Sequence, residues 1–105
     1  MIEVHKTSDL LPGIDHQTYF EYSHQAISTI LQASGVVEIR TNRGLVDSPQ
    51  LGLIKVWQSL PDWAKFAESS ERQKLESELL KFAMNIVINI MGPSPVLPEP
   101  LRPEK

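Results

Sequence analysis

The sequence contains no cysteine. A disulfide framework, a thiol nucleophile and a Cys-ligated zinc or iron–sulfur site are therefore excluded. It has no surplus of positive charge either: 10 lysines and arginines stand against 13 acids, for a net charge of −3. Nucleic-acid-binding domains normally carry a basic stripe, so no nucleic-acid partner is expected. No apolar run approaches the roughly 20 residues that span a bilayer, and no charged start leads into an apolar signal segment. The expectation is a cytoplasmic protein without a membrane partner. Glycines number only five, and Gly44 stands alone in its loop. That leaves no Gly-rich phosphate cradle, and neither a nucleophile elbow nor a paired-carboxylate signature is present.

What is present fits one small domain: 105 residues, 41% hydrophobic and 22% charged. Eight prolines are unevenly spread, with Pro93, Pro95, Pro98, Pro100 and Pro103 all near the end of the sequence. Proline has no amide donor and a fixed φ, so this stretch suits neither a helix nor a central strand. The sequence divides into a globular domain over 1–91 and an extended, proline-rich arm over 92–105.

Within the domain, Met1 to about Asp9 alternates, with Ile2 and Val4 on one parity and Glu3 and His5 on the other, as a half-buried strand does. Pro12-Gly13 is turn chemistry, and Asp15 is a suitable helix N-cap. Phe20, Ala26, Ile27, Ile30 and Leu31 recur at helical spacing, predicting a helix over 16–34 that Gly35 ends. Val36 to Arg40 is a β-branched strand. Thr41 to Gln50 is a connection, rich in turn residues that include Asp47, Ser48 and Pro49. Leu51 to Gln58 is the clearest strand. Ser59 then caps a short helix, with Pro61 in its first turn and Asp62 three residues on. Ser70 with Gln73 marks a second helix start, whose apolar stripe is Leu75, Leu79, Phe82 and Ala83. The Arg72/Glu76 and Lys74/Glu78 pairs read as its solvated face. Ile86 to Met91 is the last strand. The order β-α-β-β-α-β with short connections predicts an α+β, ferredoxin-like sandwich: a four-stranded antiparallel sheet with its helices on one face.

Apolar residues occupy both parities of the strands. Ile54 and Val56 oppose Leu51, Leu53 and Trp57, and Ile86, Ile88 and Ile90 oppose Val87 and Met91. Helices on one side cover only one of these faces, and soluble monomers rarely expose a contiguous apolar patch. A homodimer formed through the free sheet face is expected. The competing arrangement folds the proline-rich arm, with Val96, Leu97 and Leu101, back over its own sheet; alternatively the arm reaches across and embraces the partner.

Pro12-Gly13, Ser34-Gly35-Val36-Val37 and the segment Gly52 to Ser69 (GLIKVWQSLPDWAKFAES) resemble the dimeric α/β-barrel superfamily, and within it the antibiotic biosynthesis monooxygenase family, over roughly 1–91. The resemblance implies two sheets packed face to face and a pocket in each subunit. In that family some members oxidise anthrones or quinols with O₂ and neither metal nor flavin, others degrade haem, and many have no known activity. The haem-degrading members carry an Asn on the first strand, a Trp on the short helix and a His a few turns further on. Here the first strand reads Val4-His5-Lys6-Thr7, the short-helix position holds Trp63 or Phe66, and no His lies between Arg72 and Leu80. Haem is therefore not expected, and no cofactor is.

Under the resemblance, Trp57, Trp63, Phe66 and Leu53 line a pocket for a small hydrophobic or aromatic molecule, with indole rings suited to stacking on a flat ligand. Both tryptophans could instead pack the core or the dimer interface. His5, Arg40 and Asn89 are the candidates to polarise a substrate, His5 as a base and Arg40, Lys55 or Asn89 to steer an anionic or phenolic oxygen. The opposing reading puts His5 at a wet strand edge and joins Glu38, Arg40 and Lys55 in cross-strand charge pairs. On the first strand the family-like alignment turns Lys6 inward, whereas simple alternation turns His5 inward. His16 and His24 lie eight residues apart, not at the i,i+4 spacing that grips a metal, so no metal site is expected. Two function classes stay open: a cofactor-independent monooxygenase acting on an aromatic or quinol-like molecule, and a non-catalytic dimeric interaction module with a filled interior.

Overall fold

In the computed structural model, which describes residues 1–46 and 50–104, the chain runs β1 (Ile2–Leu10), α1 (His16–Leu31), β2 (Val36–Arg43), β3 (Gln50–Trp57), α2 (Leu60–Ala67), α3 (Ser70–Leu79) and β4 (Ala83–Met91). The strands form one sheet in the order β2-β3-β1-β4, and every neighbouring pair is antiparallel. This is the ferredoxin-like α+β arrangement that the element order predicts. Asp47, Ser48 and Pro49 of the predicted connection lie outside the described residues. From 92 to 104 the chain forms no helix or strand and is exposed throughout.

One sheet face carries the core. Val4 and Trp57 are fully buried against Ile30 of α1 and Phe66 of α2, with Ile2, Val36, Ile39, Trp63 and Leu75 packed around them. The register fixes which residues share that face: Val4 stands opposite Lys55, Lys6 opposite Leu53, and Ile39 opposite Lys55 from the other side. Residues directly opposite in an antiparallel pair point the same way. Lys6 therefore faces the helices and His5 does not.

Several element ends differ from expectation for local reasons. α1 stops at Leu31, three residues short of the predicted end, because the chain tightens: the Gln32 and Ala33 amides donate to Thr29 and Ile30 carbonyls, three residues back. Gly35 then turns with φ +92, and its carbonyl accepts from the Gln58 amide at 2.7 Å. β2 continues to Arg43 because Thr41, Asn42 and Arg43 pair with Leu53, Gly52 and Leu51. A bulge between Val36 and Glu38 changes the parity of β2, so Val36 and Ile39 both face the core although three residues separate them.

Ser59 caps α2 as predicted, its hydroxyl accepting from the Asp62 amide at 3.3 Å and donating to the Asp62 carboxylate at 2.9 Å. The cap of α3 is Ser69, one residue before the predicted one, and it accepts from the Arg72 amide at 3.2 Å. α3 ends at Leu79, so Phe82 and Ala83 lie beyond its stripe: the Phe82 amide closes a turn onto Leu79, and Ala83 opens β4. A second bulge, opposite Thr7 to Asp9, is accommodated by Asn85 at φ +55, with its amide donating to Asp9 at 3.0 Å. Asn tolerates this left-handed conformation better than most residues.

Candidate functional site

A cavity of about 440 Å³ lies between the helix-facing side of the sheet and the helices. β1 contributes Lys6 and Ser8, because they share the parity of the buried Val4. β3 contributes Leu51, Leu53 and Lys55, which share the parity of Trp57. Lys6 is opposite Leu53, which makes Lys6 and Lys55 diagonal neighbours across the β1–β3 pair. The Ser69 cap starts α3 so that Arg72, Leu75, Glu76 and Leu79 turn toward the same space. α1 closes it with Tyr19, Tyr22 and apolar residues that include Ile27 and Ile30.

The polar part of the cavity is a charge cluster. Lys6 Nζ donates to Glu76 Oε1, and Arg72 Nε lies 3.6 Å from that same oxygen. Lys55 is only 4% exposed. Burial, with the nearby positive charges of Lys6 and Arg72 and against the opposing charge of Glu76, lowers its pKa to about 8. Tyr22 donates its hydroxyl to the Leu75 carbonyl at 2.8 Å, tying α1 to α3. Burial, with Glu76 and Glu78 nearby, raises the Tyr22 pKa, so it stays a neutral donor. Phe82 packs edge-on against Tyr19 and at a tilt against Tyr22, with ring centroids 5.9 Å and 5.2 Å apart.

The structure divides the predicted site residues between three places. Leu53 and Phe66 line the cavity. Trp57 and Trp63 do not: Trp57 is fully buried, its ring 5.4 Å from that of Phe66, and Trp63 packs against the same core. The indole Nε1 of Trp57 has no hydrogen-bond partner among the described residues. Of the two readings left open for these indoles, the core one describes their position.

His5, Arg40 and Asn89 are brought together, but on the opposite face of the sheet. Arg40 pairs with Ile54, Ile54 with His5 and His5 with Asn89, which makes one cross-strand row. The expectation that they polarise a ligand held between sheet and helices is corrected: the sheet itself stands between. His5 Nε2 lies 2.8 Å from Glu3, and Arg40 lies 3.1 Å from Glu38 and 3.8 Å from Glu3. Of the predicted cross-strand group, Arg40 and Glu38 pair along β2 itself, Arg40 also reaches Glu3, and Lys55 points the other way.

Lys6, Tyr22, Arg72 and Glu76 were not among the predicted site residues. Arg72 and Glu76, read as a solvated pair, are instead partly buried against Lys6. The signal available for them was a lysine at an inward strand position, since a half-buried cation requires a partner. Among the described residues no cluster of three or more His, Asp or Glu could hold a metal ion, and no helix is long and apolar enough to cross a membrane.

No protein-family model and no curated protein matches the sequence. Solved structures match its fold over most of its length. A candidate antibiotic biosynthesis monooxygenase from Deinococcus radiodurans is 13% identical with a TM-score of 0.78, covering 100% of both chains. SnoaB, a cofactor-independent oxygenase from Streptomyces nogalater, is 10% identical with a TM-score of 0.78, over 93% of this chain and 97% of that one. A conserved protein from Methanosarcina mazei is 17% identical with a TM-score of 0.74, over 85% of this chain and 88% of that one. The class defined here is thus the ferredoxin-like α+β fold with a cavity between sheet and helices. In particular, this chain resembles the antibiotic biosynthesis monooxygenase structures, at the level of fold.

Proposed function

We propose that the chain binds a small aromatic or quinol-like molecule in the cavity between sheet and helices and oxidises it with O₂ without a cofactor. The observation that carries this reading is the cavity itself: about 440 Å³, with apolar walls and a half-buried charge cluster on one side. Ligand pockets generally combine such walls with a few placed polar groups. A non-catalytic module with a filled interior would leave no such volume. The fold likeness to SnoaB supports the oxygenase class.

The chemistry balances without an added reductant. For an anthrone-like CH₂ flanked by aromatic rings, loss of a proton gives an electron-rich enolate. That anion passes electrons to O₂. One oxygen atom becomes the new ketone, and the other leaves as water with the two hydrogens of the original CH₂. The protein's task is to hold the anion and keep bulk water from it.

The test is oxygen uptake with 1,8-dihydroxyanthrone, comparing the native protein with Leu53→Trp, which fills the cavity. The proposal expects O₂ consumption at least about tenfold above the spontaneous rate, lost in the variant. Equal rates with and without protein contradict it.

The working unit we propose is a homodimer through the sheet face turned away from the helices. Met84, Val87 and Met91 are exposed there beside the His5–Arg40–Asn89 row. A second copy would cover them by two-fold pairing of the two sheets. Sedimentation at micromolar concentration tests this: twice 11.9 kDa is expected, and a single species at the chain mass overturns it.

A further inference from the structure

Lys55 is 4% exposed and, among the described residues, makes no hydrogen bond or ion pair. A buried ammonium without an anion is costly, and proteins normally pair it. Its neighbours supply one anion, Glu76, which raises the Lys55 pKa without a direct hydrogen bond or ion pair to it. Lys6 and Arg72 are themselves cations, and both already lean on one oxygen of Glu76. Three cations thus face one carboxylate, in a cavity otherwise walled by Tyr22, Leu53, Phe66 and Leu75.

We infer that Lys55 is the seat for an anionic oxygen of the ligand, a carboxylate or an enolate carried on an aromatic frame. The inference rests on the cavity reading above and adds the ligand class to it. An acidic oxygen at Nζ would give the ammonium its missing partner in a water-poor setting, where charge-assisted hydrogen bonds are strong. The same contact would favour the ionised form of an enol, which is the form that reacts with O₂.

With a pKa of about 8, Lys55 is mostly charged at neutral pH and loses its proton just above it. The charged and titratable groups around it come from every packed element: Lys6 on β1, Arg43 on β2, Arg72 and Glu76 on α3, and Tyr19, Tyr22 and His24 on α1. Tyr22 stays neutral through this range, because its pKa is raised.

The experiment compares 2-naphthoate with 2-naphthamide, which share size and shape and differ in charge. Both are titrated by fluorescence into native protein and into Lys55→Met. The native protein should prefer the carboxylate by about tenfold or more at pH 7, the range of a charged hydrogen bond. Lys55→Met should bring the ratio near one while binding of the amide persists. The native protein also gives a test independent of any variant. Its affinity for naphthoate should fall by up to about tenfold per pH unit above pH 8, and its affinity for naphthamide should stay flat. Equal affinities at pH 7, or a preference that survives Lys55→Met, overturn the inference and leave the cavity reading standing. Binding of neither probe overturns both.

Discussion

Lys6 on β1 and Glu76 on α3 stand 70 positions apart in the chain and form an ion pair on the helix-facing side of the sheet. The pair joins the first strand to the last helix and gives the cavity its only carboxylate among the described lining residues. The Lys6 side chain is 11% and the Glu76 side chain 27% exposed, so water replaces a lost partner only in part. Glu76→Gln should therefore lower stability by about 2 kcal/mol in urea unfolding. Lys55 should also titrate lower in this variant, because the one charge that raises its pKa is gone. An unchanged midpoint would show that the pair is idle.

The depressed pKa of Lys55 has a thermodynamic sign. In the unfolded chain the group binds its proton up to its ordinary value of 10.5, and in the folded protein only up to about 8. Between these values the unfolded state holds more protons, so this group's contribution makes folding stability rise with pH. Below pH 8 the full cost of the buried charge is present, on the order of 3 kcal/mol. Lys55→Met should be more stable than the native protein at pH 7, and the gap should close toward pH 10.5. Denaturant melts of both proteins across this range check it. A gap that does not change with pH contradicts it.

Trp57 is fully buried and stacked at a tilt against Phe66. It belongs to the core, so its loss acts on stability. Trp57→Ala should cost about 3–5 kcal/mol through the cavity it leaves. Trp57→Phe should cost much less, since it keeps the aromatic contact and removes the indole N–H that has no partner among the described residues. Thermal or chemical unfolding of the two variants measures the difference.

Gly35 is required twice over. Its φ of +92 is rarely adopted by other residues, and an added Cβ would sit 2.5 Å from Asp62 Cγ. Asp62 itself receives the Ser59 hydroxyl that caps α2. Gly35→Ala should destabilise by about 1–3 kcal/mol, and by more than Ser59→Ala, which loses a single cap worth about 1 kcal/mol. The reverse order in unfolding experiments would contradict this account of the α1–β2 turn.

The fold was largely legible in the sequence because its punctuation is local. Ser59-Leu60-Pro61-Asp62 carries a capping serine, an early proline and an acid in the first turn, and here it starts α2. The alternation around Val4 and the β-branched run at Val36 mark strands by pattern alone. The site was less legible because it depends on which face each strand turns. The bulge at Val36–Glu38 moves Val36 and Ile39 onto one face, and no periodicity in that run announces it. Arg72 and Glu76 looked like a solvated pair because a charged row flanking Leu75 reads the same whether it meets water or an inward lysine. Only the choice of Lys6 over His5 as the inward residue of β1 separates the two, and that choice was the point left open. His5, Arg40 and Asn89, expected to polarise a ligand, lie together in one cross-strand row. Their row faces away from the helices because β1 follows the parity of Val4.

On the proposed reading, ligand binds between sheet and helices. Chemical-shift mapping of ¹⁵N-labelled protein titrated with 2-naphthoate tests it most directly. The perturbed amides should cluster at Lys6, Leu53, Lys55, Phe66 and Glu76, with His5 and Asn89 little affected. Perturbations centred on the Arg40–His5–Asn89 row, or none at millimolar ligand, would contradict it.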